Sequence, residues 1–355
     1  FFGALLFGFP SRKIFVVGVT GTKGKTTVLE LMNTVLEASG KKTALLSSTT
    51  VKIGERREDN KLETTMPGRF YIQRFLRRAV RAQCDVALVE VTSQGVVQHR
   101  HRFIQWKRSF LINLHPEHIE AHGSFENYRN AKLSFLHYTV GQGGKVFVNN
   151  KDANADFYLK TLRNAVPYSR DNGSSFTSSG LFASDFNGDN IAAAAVLARD
   201  LGIPDEVISR GLKSFRGVPG RMEFIQKEPF AVVVDYAHTP DSLEAVYRAL
   251  KPSAGGGSAL GGKTPNPKSK LICILGSAGG GRDTWKRPKL GEIAGRYCDK
   301  IILTDEDPYD EDPKKITDAI QSGISPVRMR YMEIYMELDR KRAITLGIEH
   351  AKKRD

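Results

Sequence analysis

A chain of 355 residues with 40% hydrophobic side chains is long enough for two domains of ordinary size, each with its own core. Its formal charge of +14 has the sign that phosphate binding favours. Yet the basic residues are scattered over polar positions of apparent helices, and no RRM, helix-turn-helix or zinc-finger pattern occurs, so a nucleic-acid partner is not expected. A phosphate-rich small substrate or an anionic membrane surface explains the sign equally well. Cys84, Cys273 and Cys298 lack CxxC or paired spacing and read as core thiols in a reducing compartment, with neither zinc nor a disulfide.

Residues 1–10 form an apolar N-terminal stub that starts on Phe1 rather than Met. It reads as the tail of a longer upstream part. Nine apolar residues are too few to cross a bilayer, which takes about 20, but they leave membrane association open. Residues 13–19 then read as a buried strand, followed by a glycine-rich turn and an amphipathic helix over 25–39 that Gly40 ends. A second buried strand at 85–91 carries Glu90 near its end, where ligand groups gather in open α/β sheets. Strands follow at 110–114 and 145–149, with helices at 125–138 and 190–201.

The pattern restarts near 218–221: strand 230–235, helix 241–250, strand 270–276, helix 287–297 and strand 300–304. The spacing predicts an α/β fold in two parts: a P-loop central domain over 11–215 with a mostly parallel sheet, and a smaller Rossmann-like C-terminal domain over 216–355. The Gly/Ser/Pro/Lys-rich stretch 252–270 reads as a flexible loop inside the second domain.

The strongest local signal is Gly21-Thr22-Lys23-Gly24-Lys25-Thr26-Thr27, between a strand and a helix. Glycines let backbone N–H groups close around phosphate oxygens, and the helix N-terminus adds positive potential. Lys25 can neutralise the β/γ-phosphates, and the Thr26 hydroxyl can hold Mg²⁺. The spacing is not the strict Walker A pattern, because Val19 stands where its first glycine would be.

This shortened loop resembles that of the Mur ligase family, with Lys23 in place of the usual asparagine. The resemblance continues in order along the chain and is closest to the UDP-N-acetylmuramoyl-tripeptide synthetase (MurE) branch. It runs through Thr64-Thr65-Met66-Pro67, Glu90-Val91-Thr92-Ser93-Gln94-Gly95, Gln98-His99-Arg100, Asn113-Leu114, Glu117-His118-Ile119-Glu120, Asn127-Tyr128 and Ala131-Lys132. It goes on through Phe186-Asn187 with Asn190, residues 218–223, residues 235–241, residues 279–283 with Lys286-Arg287-Pro288, and Asp305-Glu306-Asp307-Pro308.

The resemblance implies a cytoplasmic, ATP- and Mg²⁺-dependent ligase. Such an enzyme phosphorylates a carboxylate to an acyl phosphate and lets an amino acid's amine displace the phosphate, extending a UDP-N-acetylmuramoyl peptide in peptidoglycan precursor synthesis. It implies catalytic roles for Lys25, His118 and Lys132, and a metal site of Thr26, Glu90, His118 and Lys132, with Lys132 carbamylated by CO₂. That modification needs a neutral amine, so Lys132 should lie where burial or nearby cations lower its pKa.

Asn190 matches a residue near the adenine, and Arg221, Asp235 and His238 match the second domain's share of the ATP site, formed when the domains close. Thr64, Thr65, Thr92, Gln98 and Arg100 match positions that bind the nucleotide-sugar peptide. Arg282, Glu306, Asp307 and Tyr309 match the pocket for the free amino acid. In enzymes that add diaminopimelate this last segment reads DNPR, so Tyr309 argues against that amino acid and leaves lysine, ornithine or another open.

Two departures bear on the acceptor: the usual N-terminal UDP-binding domain and the C-terminal GKGHE-like segment are not in this sequence. A related ligase with another carboxylate acceptor (folylpolyglutamate, poly-γ-glutamate or cyanophycin synthetase-like) is therefore the alternative. A non-catalytic ATP-binding partner subunit is a further one, opposed by the presence of Lys25, Glu90, His118, Lys132, Asp235 and Arg282.

Overall fold

The computed structural model describes residues 1–62, 64–117, 119–176, 185–251, 270–281 and 283–353. The chain divides into two compact units. The first comprises Phe1–Pro116, His122–Ser178 and Asp185–Pro219; the second includes Glu117–Ala121 and Gly220–Asp355. The expected flexible loop at 252–270 lies, but for Lys270, outside the described residues.

The first unit is built on an eight-stranded sheet. Its strands are β1 (Phe15–Thr20), β2 (Thr43–Leu46), β3 (Thr50–Ile53), β4 (Arg56–Asp59), β5 (Val86–Glu90), β6 (Trp106–Leu111), β7 (Lys145–Asn149) and β8 (Val166–Tyr168). Their order across the sheet is β4-β3-β2-β5-β1-β6-β7-β8. In that order all neighbours from β2 to β8 pair in parallel, while β3 pairs antiparallel with both β2 and β4 and is the one reversed strand among those described. Strands β1 and β5 are almost wholly buried, as strands covered on both faces must be, and so read as unbroken apolar runs.

Helix Lys25–Ala38 covers one face of the sheet, burying Val28, Leu29, Leu31, Met32, Val35 and Leu36. It packs in turn against helices Asp185–Asp200 and Asp205–Ser214. Gly211 permits that second contact, since a Cβ there would lie 2.8 Å from the Val35 Cα. The opposite face holds a core that includes Trp106, Phe135, Leu136, Phe75 and Leu76. Gly18 in β1 leaves the room in which the rings of Phe135 and Trp106 meet edge to face, 5.0 Å between centroids.

The strand expected at 110–114 begins and ends earlier, at Trp106–Leu111, because Asn113 leaves the sheet to bind the glycine loop. The apolar stub contains a short helix, Phe2–Leu6, with Phe2 and Leu6 exposed and Phe7 against Phe70. Among the described residues no helix is long and apolar enough to cross a membrane.

The second unit carries a two-stranded antiparallel ribbon of β9 (Glu223–Gln226) and β10 (Val232–Val234). It also carries a three-stranded parallel sheet of β11 (Ile272–Leu275), β12 (Lys300–Leu303) and β13 (Glu333–Met336). Helices Pro240–Leu250, Lys286–Tyr297 and Pro313–Gln321 pack one against the next beside this sheet. The reading of three reduced core thiols is corrected here: Cys273 in β11 and Cys298 after helix Lys286–Tyr297 form a disulfide, Cα atoms 6.1 Å apart. The two positions become neighbours only because the helix returns its chain to the same core, which a separation of 25 residues does not reveal. Cys84 is a free, buried thiol, pushed up in pKa chiefly by burial.

Candidate active site

The glycine loop connects β1 to helix Lys25–Ala38, and its shape is held from outside itself. The Asn113 side chain accepts hydrogen bonds from the backbone N–H groups of Thr22 and Lys23, both at 2.9 Å, and donates to the Lys23 carbonyl at 2.9 Å. The Thr22 hydroxyl lies 2.9 Å from the Tyr128 hydroxyl and accepts from the His115 backbone N–H at 2.9 Å. Gly24 caps the helix at φ 80°, a left-handed conformation that glycine adopts freely. A Cβ on it would lie 2.9 Å from the Asn190 side-chain oxygen. Asn190, buried on helix Asp185–Asp200, thus abuts the loop that the expectation placed near a nucleotide.

Lys25 folds back on the loop and donates to the carbonyls of Gly21 and Thr22 at 3.1 and 2.9 Å. Its ammonium is also 4.0 Å from Glu90 Oε1. Glu90, at the end of β5 and 3% exposed, accepts from the Thr26 hydroxyl at 3.0 Å and from the Ser48 backbone N–H at 3.0 Å. The Ser48 hydroxyl is 2.8 Å from Thr26 Oγ1. Ser48 is a polar residue of this cluster that the sequence reading missed. Its signal was position, since the run Ser47-Ser48-Thr49-Thr50 follows the carboxyl end of β2, next to β5.

Lys132, on helix Phe125–Gly141, is 1% exposed and donates to the Gly21 carbonyl at 2.9 Å, its ammonium 4.5 Å from the centre of the Tyr128 ring. Lys25, Thr26, Glu90 and Lys132 therefore gather around one loop. His118 lies outside the described residues. Among those described, no group of three or more His, Cys, Asp or Glu stands ready to hold a metal. The oxygen donors that do meet, the Thr26 hydroxyl and the Glu90 carboxylate, are of the kind a hard cation such as Mg²⁺ prefers.

A second group forms nearby in sequence. Thr92 caps helix Ser93–Val97, accepting from Gly95 N at 3.1 Å. Arg100 donates to the Met66 carbonyl, and the Met66 sulfur occupies the space that a Cβ on Gly95 would need. These contacts set Met66, which follows Thr64 and Thr65 in the chain, against Gly95 and Arg100, while Gln98 is exposed at the helix end.

In the second unit, Asp235 accepts from the backbone N–H groups of Met222 and Ala237, both at 2.7 Å. Burial nevertheless raises its pKa, the two hydrogen bonds opposing. The Arg221 guanidinium lies 4.4 Å over the Tyr236 ring. His238 sits between the Tyr236 carbonyl, 2.9 Å from Nδ1, and Glu117, 3.0 Å from Nε2. Arg282 lies outside the described residues. Its neighbours do not: Gly279 N donates to the Asp307 carbonyl at 2.8 Å, and a Cβ on Gly280 would stand 3.4 Å from the Tyr309 ring. Glu306, Asp307 and Tyr309 are exposed beyond β12.

An open, mostly parallel sheet whose first strand feeds a short glycine loop into a covered helix defines the phosphate-loop class of α/β proteins. Residues 19–198 match the family described as Mur ligase middle domain, and residues 220–355 match Mur ligase, glutamate ligase domain. The chain belongs to the Mur ligase family and is an ATP-dependent ligase.

The UDP-N-acetylmuramyl-tripeptide synthetase of Roseiflexus sp. is 34% identical over 391 residues, covering 99% of this chain and 74% of that protein. The UDP-N-acetylmuramoyl-L-alanyl-D-glutamate–2,6-diaminopimelate ligase of Halalkalibacterium halodurans is 32% identical, covering 98% and 73%. Among solved structures, a ligase of that same name superposes at a TM-score of 0.62 and 23% identity, covering 99% of this chain and 75% of the other. Mycobacterium tuberculosis folylpolyglutamate synthase superposes at 0.72 and 14% identity, covering 98% and 86%. These two likenesses establish the shared fold.

Proposed function

We propose that this ligase joins an amino acid to the free carboxylate of a UDP-N-acetylmuramoyl peptide, by way of an acyl phosphate, in the cytoplasmic stage of peptidoglycan precursor synthesis. The observation that carries the reading is the convergence of Lys25, Thr26, Glu90 and Lys132 on one glycine loop. Converting a carboxylate to an acyl phosphate needs a phosphoryl group held in line and its charge neutralised. Lys25 supplies a mobile cation, released from two loop carbonyls when phosphate oxygens replace them. Thr26 and Glu90 offer the oxygen ligands for Mg²⁺, which when bound would neutralise phosphate charge.

Lys132, buried against the loop, is proposed to carry CO₂ as a carbamate, which turns its end into a carboxylate directed at the same place. Asn190 is the proposed adenine neighbour, and Arg221, Asp235 and His238 the second unit's nucleotide contacts. Thr64, Thr65, Thr92, Gln98 and Arg100 are proposed to bind the UDP-linked peptide, where the planar fork of Arg100 suits a carboxylate or phosphate. Arg282, Glu306, Asp307 and Tyr309 belong to the proposed amino-acid pocket.

The test is phosphate release with mass detection of product, in the presence of ATP, Mg²⁺, UDP-N-acetylmuramoyl dipeptide and one amino acid at a time. Release that requires both the dipeptide and an amino acid is the expected result. Release only with a folate or another carboxylate acceptor would move the protein to a different branch of the same fold.

A further inference from the structure

Helix Lys286–Tyr297 joins β11 to β12 and is fastened at three places. At its start Arg287, 5% exposed, donates to the Ala278 carbonyl at 3.2 Å and to the two Glu311 oxygens at 2.8 and 3.0 Å. Glu311 also accepts from Gly281 N at 2.7 Å, so the helix start sets the loop that leaves β11. Along its length the helix touches the end of helix Pro313–Gln321 almost backbone to backbone. A Cβ on Gly291 would lie 1.8 Å from the Ile320 carbonyl oxygen, and one on Gly295 would lie 3.0 Å from the Ile324 side chain. At its end, Cys298 is bonded to Cys273 of β11, across 25 residues of sequence. Both cysteines are buried, in a core that includes Leu243, Leu290, Ile293, Ala294 and Ile301.

The pair is held together by more than its own bond. Cys273 stands opposite Ile301 in the ladder of β11 and β12. Asp299, next to Cys298, clamps the same corner without help from sulfur. Its backbone N–H donates to the Leu271 carbonyl at 2.8 Å, and its carboxylate accepts from Leu271 N and from Lys251 Nζ, both at 2.8 Å. Reduction therefore leaves the two cysteines side by side, ready for the bond to form again. In a reducing compartment, where the ligase reading puts this chain, a disulfide is usually of this redox-responsive kind and seldom a permanent staple.

We propose that Cys273 and Cys298 are a reversible redox switch that sets the affinity of this ligase for its amino acid, the bonded form being the tighter binder. Opening it takes a dithiol. One thiolate of the dithiol attacks a sulfur of the pair, and the other cysteine leaves as a thiolate and takes up a proton. The second thiol of the reductant then displaces the first cysteine, which takes up its own proton, and the reductant ends as a disulfide. Two free thiols need more room than two bonded sulfurs, in a core with few voids. The helix cannot retreat on its outer side, where Gly291 and Gly295 already touch their neighbours. The movement is taken up between the helix and β11, and it loosens the hold of Arg287 on Glu311 and on the loop from Ala278 to Gly281, beside Tyr309. Because the sulfurs are buried, exchange waits for local opening of the second unit and is slow in the folded protein. The proposal rests on the ligase reading for the turnover that it regulates.

The test uses the whole chain, purified without reductant. Alkylation in denaturant with mass detection should count one free thiol, Cys84, before treatment and all three cysteines as thiols after incubation with dithiothreitol. Reduction should lower the melting temperature by about 10 °C. It should raise KM for the amino acid about tenfold, with KM for ATP and for UDP-N-acetylmuramoyl dipeptide changed by less than about twofold. Oxidised glutathione should restore every value. Cys84→Ser should respond in the same way, and the double variant Cys273→Ala/Cys298→Ala should ignore both reagents.

Protein that still shows three thiols after oxidised glutathione overturns the proposal. So does a reduced enzyme whose KM for the amino acid is unchanged, even if it melts lower, since the bond would then be a staple. Both outcomes leave the ligase reading standing. Turnover in neither state defeats the ligase reading instead, and melting then decides the switch: a drop on reduction that oxidised glutathione reverses supports it, and equal values end it.

Discussion

The Thr26 hydroxyl donates to Glu90 at 3.0 Å, across 64 residues of sequence, while the Lys25 ammonium stands 4.0 Å from the same carboxylate. The two strands that bring these groups together, β1 and β5, pair in parallel with Val19 opposite Glu90. The helix start and the strand end are thus fixed by one register, and a hydroxyl, a carboxylate and an ammonium meet at the glycine loop.

Replacing Lys25 by Met keeps the side-chain length and removes the charge. Among the described residues its ammonium donates to two loop carbonyls and faces Glu90, so the fold should survive, with circular dichroism unchanged and the melting temperature within a few degrees. Phosphate release should fall by about 10²–10³, the scale of losing one group that stabilises developing charge. Activity within threefold of the unsubstituted enzyme would exclude Lys25 from the chemistry.

Asn113 is predicted to matter as a positioning residue. Its amide makes three hydrogen bonds to the loop backbone, at Thr22 N, Lys23 N and Lys23 O, each worth about 1 kcal/mol net. Asn113→Ala should destabilise the protein by about 2–3 kcal/mol in urea unfolding. It should also raise KM for ATP about tenfold, with a smaller change in KM for the dipeptide. A loss of stability with no change in the ATP constant would mean that Asn113 holds the fold alone.

Lys132 should be modified. With ¹³C-bicarbonate supplied, NMR of the unsubstituted protein should show a carbamate carbon that Lys132→Arg lacks, and activity should decline in CO₂-depleted buffer. A spectrum with no such signal at saturating bicarbonate would reduce Lys132 to a buried hydrogen-bond donor to Gly21.

Much of the first unit was legible because buried parallel strands are continuous apolar runs, and the run 145–149 coincides with β7. The pieces that were not legible are polar or edge elements. Strand β4, Arg-Arg-Glu-Asp, is exposed throughout and carries no apolar signal of either period. Within the site, Lys25 and Thr26 were visible as a motif. Ser48 was not, because its place beside Glu90 depends on β2 pairing with β5, a long-range fact absent from local sequence. The Cys273–Cys298 bond was missed for the same reason.

Acid should destabilise the protein in two separable steps. His101 is 2% exposed, its ring edge-on to Phe135 and Tyr138. Burial first, then the charges of Arg102 and His99, pull its pKa from 6.5 down to about 4. Because the unfolded chain takes up this proton more readily than the folded one, stability is intact above about pH 6.5 and declines as the pH falls toward 4. The loss amounts to about 3 kcal/mol across that window. Glu311 works lower. Hydrogen bonds from Arg287 and then Gly281 hold its carboxyl at about 2, against an ordinary 4.5. Its contribution is present above about pH 4.5 and is lost only as the pH drops toward 2. Urea midpoints measured from pH 8 to pH 3 should therefore fall first with the histidine, and His101→Gln should flatten the curve between 6.5 and 4 while leaving the lower limb. Arg287→Met should do the reverse, flattening the lower limb alone. A curve unaffected by His101→Gln above pH 4.5 would show that this histidine is protonated in the folded protein.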